Sequence, residues 1–177
     1  MFSNGETPAA GRVARKYLPE LIYGSNDGII TTFAIVAGVV GAQLSNAVIL
    51  ILGLASLFAD GMSMAASDYL SERSRPEDPS PRLAATKRAA ATFAGFVLLG
   101  ALPLAAYVLP LPDGVRFPVA GGITLVALFL VGAGRALAAE RIQWLRGGFE
   151  MLVVGAAAAA VAFGVGLLIS DLTGGAI

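Results

Sequence analysis

The chain has 177 residues, 56% of them apolar and only 14% charged, whereas soluble domains carry about a quarter charged residues, so a domain that meets water over most of its surface is excluded. Lys+Arg and Asp+Glu balance at twelve each, which leaves no basic excess for a nucleic-acid backbone, and no nucleic-acid partner is expected. Histidine and cysteine are absent, which removes zinc fingers, iron–sulfur clusters, Ser-His-Asp triads, thiol nucleophiles and disulfides and leaves carboxylates, methionine, hydroxyls and backbone to carry any chemistry.

In chain order, residues 1–19 hold Glu6, Pro8, Arg12, Arg15, Lys16 and Pro19 and lack the apolar core of a secretory signal, so they read as a cytoplasmic tail. Apolar stretches follow at 20–42, 46–71, 88–109, 117–138 and 148–170, each near the ~20 residues a helix needs to cross hydrocarbon. The expected fold is an all-α membrane protein of five transmembrane helices, with 171–177 as a C-terminal tail. Only Gln43 to Asn46 separates the first two spans, which predicts antiparallel packed neighbours. The segment from Ser71 to Arg88 is charged and broken by Pro76, Pro79 and Pro81. Pro110, Pro112, Asp113, Gly114 and Pro118 mark the third connection, and Arg135 to Gly148 the fourth.

Basic residues orient such a chain, since acids contribute little to the positive-inside bias. Eleven of the twelve fall before span one, between spans two and three, or between spans four and five, and only Arg116 falls on the other side. The N-terminus is therefore expected in the cytoplasm and the C-terminus outside. A bacterial inner membrane fits, and so does an organelle with the cytosol on the same face.

A carboxylate deep in a membrane is costly and normally faces a partner or a water-filled path. Asp27 lies eleven residues past Lys16, roughly 16 Å in at ~1.5 Å per residue. Asp60 lies twelve residues before Glu72, about 18 Å in by the same rise, so the two acids share a depth. Along span two, Asp60, Met64, Asp68 and Glu72 recur every fourth residue and fall on one helix face. Span one adds Ser25, Asn26, Thr31 and Thr32 around its own acid. Hard oxygens with a thioether suit Fe²⁺ or Mn²⁺ better than Mg²⁺ or Ca²⁺. The candidate metal residues are Asp27, Asp60, Met64, Asp68 and Glu72. Asp27 and Asp60 are also the candidates for proton coupling, because a buried carboxyl can hold a proton and release it when a cation arrives.

Each residue also has a structural reading. Met64 can be packing, Asp68 and Glu72 can be solvated or paired with Arg73 or Arg75, and Asp27 can cap a helix beside Gly24 and Gly28. Glu150 suits a helix N-terminus after Gly147 and Gly148, and Arg135 and Arg141 suit interfacial anchors. Ala34, Gly38 and Ala42 form a small-residue stripe, which fits either a dimer with span one near the axis or packing within one subunit.

The segments YGSNDGIITTFAIVAGVVGA (23–42) and GLASLFADGMSMAASDYLSE (53–72) resemble the first two helices of the vacuolar iron transporter family, and ALFLVGAGRALAAERIQWLRGGFEMLVVGAAAAAVAFGVG (127–166) is similar to its last two. The resemblance covers about residues 20–170 and is that of a short-linker bacterial-type member. It implies five helices, a cytoplasmic N-terminus, a homodimer with a metal path at its interface, and exchange of cytosolic Fe²⁺ or Mn²⁺ for protons. The family's first-helix aspartate falls on Asp27 and its second-helix methionine on Met64. The partners implied are a divalent metal substrate, protons and the lipid bilayer, with no cofactor and no enzymatic activity. The chain departs from eukaryotic relatives, whose larger cytoplasmic metal-binding domain is too big for Arg73–Arg88, and from relatives with an acid where this chain has Ser56. Other readings of the same acids are a membrane enzyme using carboxylate-bound metal and a membrane scaffold or sensor without transport.

Overall fold

Inside hydrocarbon every backbone N–H and C=O needs a partner within the chain, which an α-helix supplies locally. A computed structural model describes residues 9–74, 82–138 and 143–174, with side chains from Lys16 onward. Among the described residues it contains six helices and no strand. They are α1 (Ala9–Gly41), α2 (Asn46–Arg73), α3 (Arg82–Gly100), α4 (Leu102–Val108), α5 (Asp113–Ala138) and α6 (Trp144–Leu172). Five segments are long and apolar enough to cross a membrane, with α3 and α4 forming one of them. The all-α, five-span expectation is met.

Four of the five spans start earlier than expected, among them α5, which begins at Asp113 and takes Gly114 and Pro118 of the third connection inside the helix. α1 starts at Ala9, within the expected tail, and carries Pro19 inside it. The third span starts at Arg82 and is interrupted near Ala101, where Pro103 lacks a backbone donor. α6 starts at Trp144, so Glu150 lies a turn and a half inside the helix and not at its N-terminus. The charged connection at 75–81 and the segment at 139–142, with Arg75 and Arg141, lie outside the described residues.

The α1–α2 turn is a C-terminal cap. Leu44 N–H bonds the Val39 carbonyl at 3.1 Å and Gln43 N–H bonds the Val40 carbonyl at 3.0 Å. Those two bonds are the Schellman pattern, which calls for a left-handed residue at Gln43, and its φ is +58°.

α1 is the central helix and touches every other one. Near the turn, Val36 and Val39 pack with Ile49 of α2 and with Leu104, Ala106 and Tyr107 of α4. Towards the other end, which carries Lys16, Arg73, Arg88, Arg135 and Arg146 and is called here the basic end, α3 comes between α1 and α2. The two expected neighbours thus meet near their turn and diverge beyond it. Close approach of α1 and α3 is possible because Gly24 and Gly28 lack side chains: a methyl on either would overlap the Thr92 or Phe96 carbonyl oxygen. Gly38 and Ala42 face the α6 backbone at Ala162 and Gly166, so this part of the small-residue stripe is used inside the subunit.

The outer surface is inverted relative to a soluble protein. Val126 and Leu130 of α5 and Val153, Val161 and Leu168 of α6 are exposed, as a lipid-facing surface requires.

Candidate metal path between α1 and α2

Where α1 and α2 diverge they leave a groove of about 540 Å³, lined by Tyr23, Asp27, Asp60, Ser63, Met64, Ser67, Asp68 and Ser71. Four of the five sequence-nominated residues thus meet on one surface. Asp27 and Asp60 are exposed along it, Met64 is half-buried between the α2 acids, and Asp68 is half-buried one turn further on.

The levels match for a local reason. Gly28 follows Asp27 and lies against the Phe96 backbone; Gly61 follows Asp60, and a methyl there would come within 3.2 Å of the Phe96 ring. Phe96 is fully buried. Consecutive helical residues point about 100° apart, so each glycine faces α3 while the preceding aspartate turns into the groove.

Glu72, the fifth candidate, is elsewhere. Its side chain is 3% exposed and lies 2.9 Å from Arg88 Nη1, which also reaches Glu20 Oε1 at 3.1 Å. One guanidinium thereby joins α1, α2 and α3 at the basic end. Asp68 accepts a hydrogen bond from Thr92 Oγ1 at 2.8 Å, and Asp60 accepts one from Ser56 Oγ. Glu150 pairs with Arg146 at 3.2 Å and with Arg135 at 3.5 Å, which gives it a structural role. At the opposite end Asp113 accepts from Asn46 Nδ2 at 3.0 Å.

Sequence reasoning missed the contribution of α3. Arg88 counted only as an orienting charge, yet Arg88, Thr92 and Phe96 recur every fourth residue and form the face that meets α1 and α2. That spacing was the available signal.

Among the described residues no three acidic groups of one chain come close enough together to hold a metal ion. The groove offers single carboxylates, a thioether and hydroxyls along an open wall, which can pass a cation but encloses none.

Comparison with known proteins gives the chain's family. The model of the VIT family matches residues 18–79 and 75–167, meeting between α2 and α3. The chain is 31% identical to "Vacuolar iron transporter homolog 1" of Oryza sativa subsp. japonica over 91% of its own length and 78% of that protein. It is 49% identical to "Vacuolar iron transporter" of Plasmodium berghei over 32% of its own length and 21% of the relative, and 34% identical to "Vacuolar iron transporter 1" of Arabidopsis thaliana over 38% and 26%. In the Plasmodium and Arabidopsis relatives the matched region is about a fifth to a quarter of the whole protein. With its matches running from the first span into the last, this five-span chain belongs to the VIT family.

Proposed function

We propose that this protein is a proton-coupled divalent-metal transporter that moves Fe²⁺ or Mn²⁺ out of the cytoplasm, and that it works as a homodimer with its N-terminus in the cytoplasm. The observation that carries the reading is the pair Asp27 and Asp60, at one level, exposed on a groove inside spanning helices. Carboxylates at that depth do not face lipid at an acceptable cost. A second copy related by a two-fold axis would cover the groove and double its ligand set, since a two-fold interface pairs the same surface with itself.

Two ionised carboxylates facing one another repel, and either protons or a divalent cation relieve that repulsion. Replacement of protons by metal at Asp27 and Asp60 is therefore an exchange reaction that needs no histidine. Met64 supplies a soft ligand at the same wall, which favours a late first-row metal over Mg²⁺. The relatives' names speak for iron among these. The distribution of basic residues supports a cytosolic basic end, in whichever membrane the protein resides.

The test is metal uptake into proteoliposomes under an imposed pH gradient, with Fe²⁺ and Mn²⁺ side by side. Gradient-driven uptake that Asp27→Asn abolishes is the expected result. Wild-type protein that is folded and inserted yet moves neither metal overturns the proposal.

A further inference from the structure

Both groove acids of α2 are already half engaged. Ser56 Oγ donates to Asp60 Oδ2 from one turn away on the same helix. Thr92 Oγ1, fully buried on α3, donates to Asp68 Oδ2 at 2.8 Å. The Thr92 hydroxyl also lies 3.3 Å from the Arg88 carbonyl oxygen, but it has one proton, and the shorter, charge-assisted contact takes it. On each carboxylate this leaves Oδ1 as the oxygen outside the hydroxyl bond. Arg88, one turn before Thr92, meanwhile draws Glu72 away from the groove.

We propose that Ser56 and Thr92 determine metal selectivity: by engaging one oxygen of Asp60 and of Asp68 they confine both acids to single-oxygen ligation, which disfavours Ca²⁺. Ca²⁺ takes 6–8 oxygens and commonly draws two from one carboxylate. To obtain them here it must compete with the hydroxyl that already holds the second oxygen, through an exposed hydrogen bond at Asp60 and a part-buried one at Asp68. A smaller cation fills an octahedral shell from single oxygens and water and leaves both hydrogen bonds intact. The inference rests on the groove being the cation path and adds the reason that path discriminates by size. The two donors differ in origin, one local to α2 and one from α3, yet act on the acids flanking Met64 from both sides.

The experiment is displacement of bound Mn²⁺ by Ca²⁺, read from the free-Mn²⁺ electron paramagnetic resonance signal, on purified wild type, Ser56→Ala, Thr92→Val and Thr92→Ser. The ratio of Ca²⁺ to Mn²⁺ dissociation constants is expected to fall about tenfold in Ser56→Ala and in Thr92→Val, equivalent to about 1.4 kcal/mol. Thr92→Ser, which keeps the hydroxyl, should restore the wild-type ratio, whereas a purely structural effect of Thr92→Val would move both metals together. An unchanged ratio in folded variants that bind Mn²⁺ overturns the inference and leaves the transport reading standing. Should Thr92→Val fail to fold, Ser56→Ala decides alone, because Ser56 is only half-buried and packs less. A wild type that binds no Mn²⁺ overturns the groove as a metal path and this inference with it.

Discussion

Gly28 and Gly61, on different helices, rest against the same α3 residue, Phe96, and each follows the aspartate that turns into the groove. The contact sets the height of α1 against α2 and so brings Asp27 and Asp60 level. It also predicts unequal costs. A methyl at Gly28 meets the Phe96 backbone, which cannot step aside, whereas one at Gly61 meets the ring edge at 3.2 Å, which can turn. Gly28→Ala is expected to destabilise the protein by about 3 kcal/mol and Gly61→Ala by about 1 kcal/mol, within the usual range for overpacking. Unfolding titrations in mixed micelles measure both, and equal or reversed losses would contradict the account.

Glu72 shares its spacing with the groove acids but not their surroundings. Arg88 keeps Glu20 when the Glu72 charge is removed, so the loss is that of one charge-assisted contact, about 1.5 kcal/mol. Glu72→Gln should therefore lower the unfolding midpoint while leaving KM for metal uptake within about twofold. Asp27→Asn should do the opposite, with stability kept or raised and uptake reduced by more than tenfold, a factor of at least ~1.4 kcal/mol. Loss of uptake in well-folded Glu72→Gln would return that residue to the path.

Much of this was legible in the sequence because a bilayer imposes simple rules. Hydropathy over ~20-residue windows gave the five spans, and the four-residue period of Asp60, Met64 and Asp68 placed them together on the groove wall. Asp27 was legible from the cost of a mid-membrane acid. Periodicity on α2 could not show that Glu72 bonds elsewhere, because its partner Arg88 belongs to another helix and reads as a boundary charge. The small-residue stripe of α1 left two uses open, and the α6 backbone beside Gly38 and Ala42 assigns those two residues to packing within the subunit. The short α1–α2 turn suggested close neighbours along their length, whereas the glycines at 24 and 28 let α3 in. Helix adjacency depends on such contacts more than on loop length.

Met64 lies between two hydroxyl-bonded acids and offers the one soft atom of the groove. Met64→Leu conserves volume and removes the thioether, so packing should change by less than ~1.5 kcal/mol. Fe²⁺ affinity is expected to fall several-fold more than Mn²⁺ affinity, because the softer cation gains more from sulfur. Parallel uptake assays with the two metals read the difference directly. An equal loss for both would assign Met64 to packing.

The absence of cysteine makes the proposed dimer accessible to a clean test. A single introduced thiol has no competitor, and a disulfide forms only where two Cα atoms come within about 7 Å. Ser63 is exposed on the groove wall of α2 beside Asp60, on the surface that the proposed two-fold would cover. Val161 is exposed on α6 among other aliphatic side chains, on the surface expected to meet lipid. Under mild oxidation in native membranes, Ser63→Cys should give a covalent dimer and Val161→Cys should remain monomeric. Position 63 can lie too far from the axis for a direct bond, so Ala59→Cys and Ser67→Cys, one turn to either side, extend the scan along the same face. Cross-linking anywhere on that face supports the covered groove. Dimers from Val161→Cys alone would place the interface on α6 and leave Asp27 and Asp60 facing lipid, which their charge does not permit, so the monomer would then need a different partner for α2.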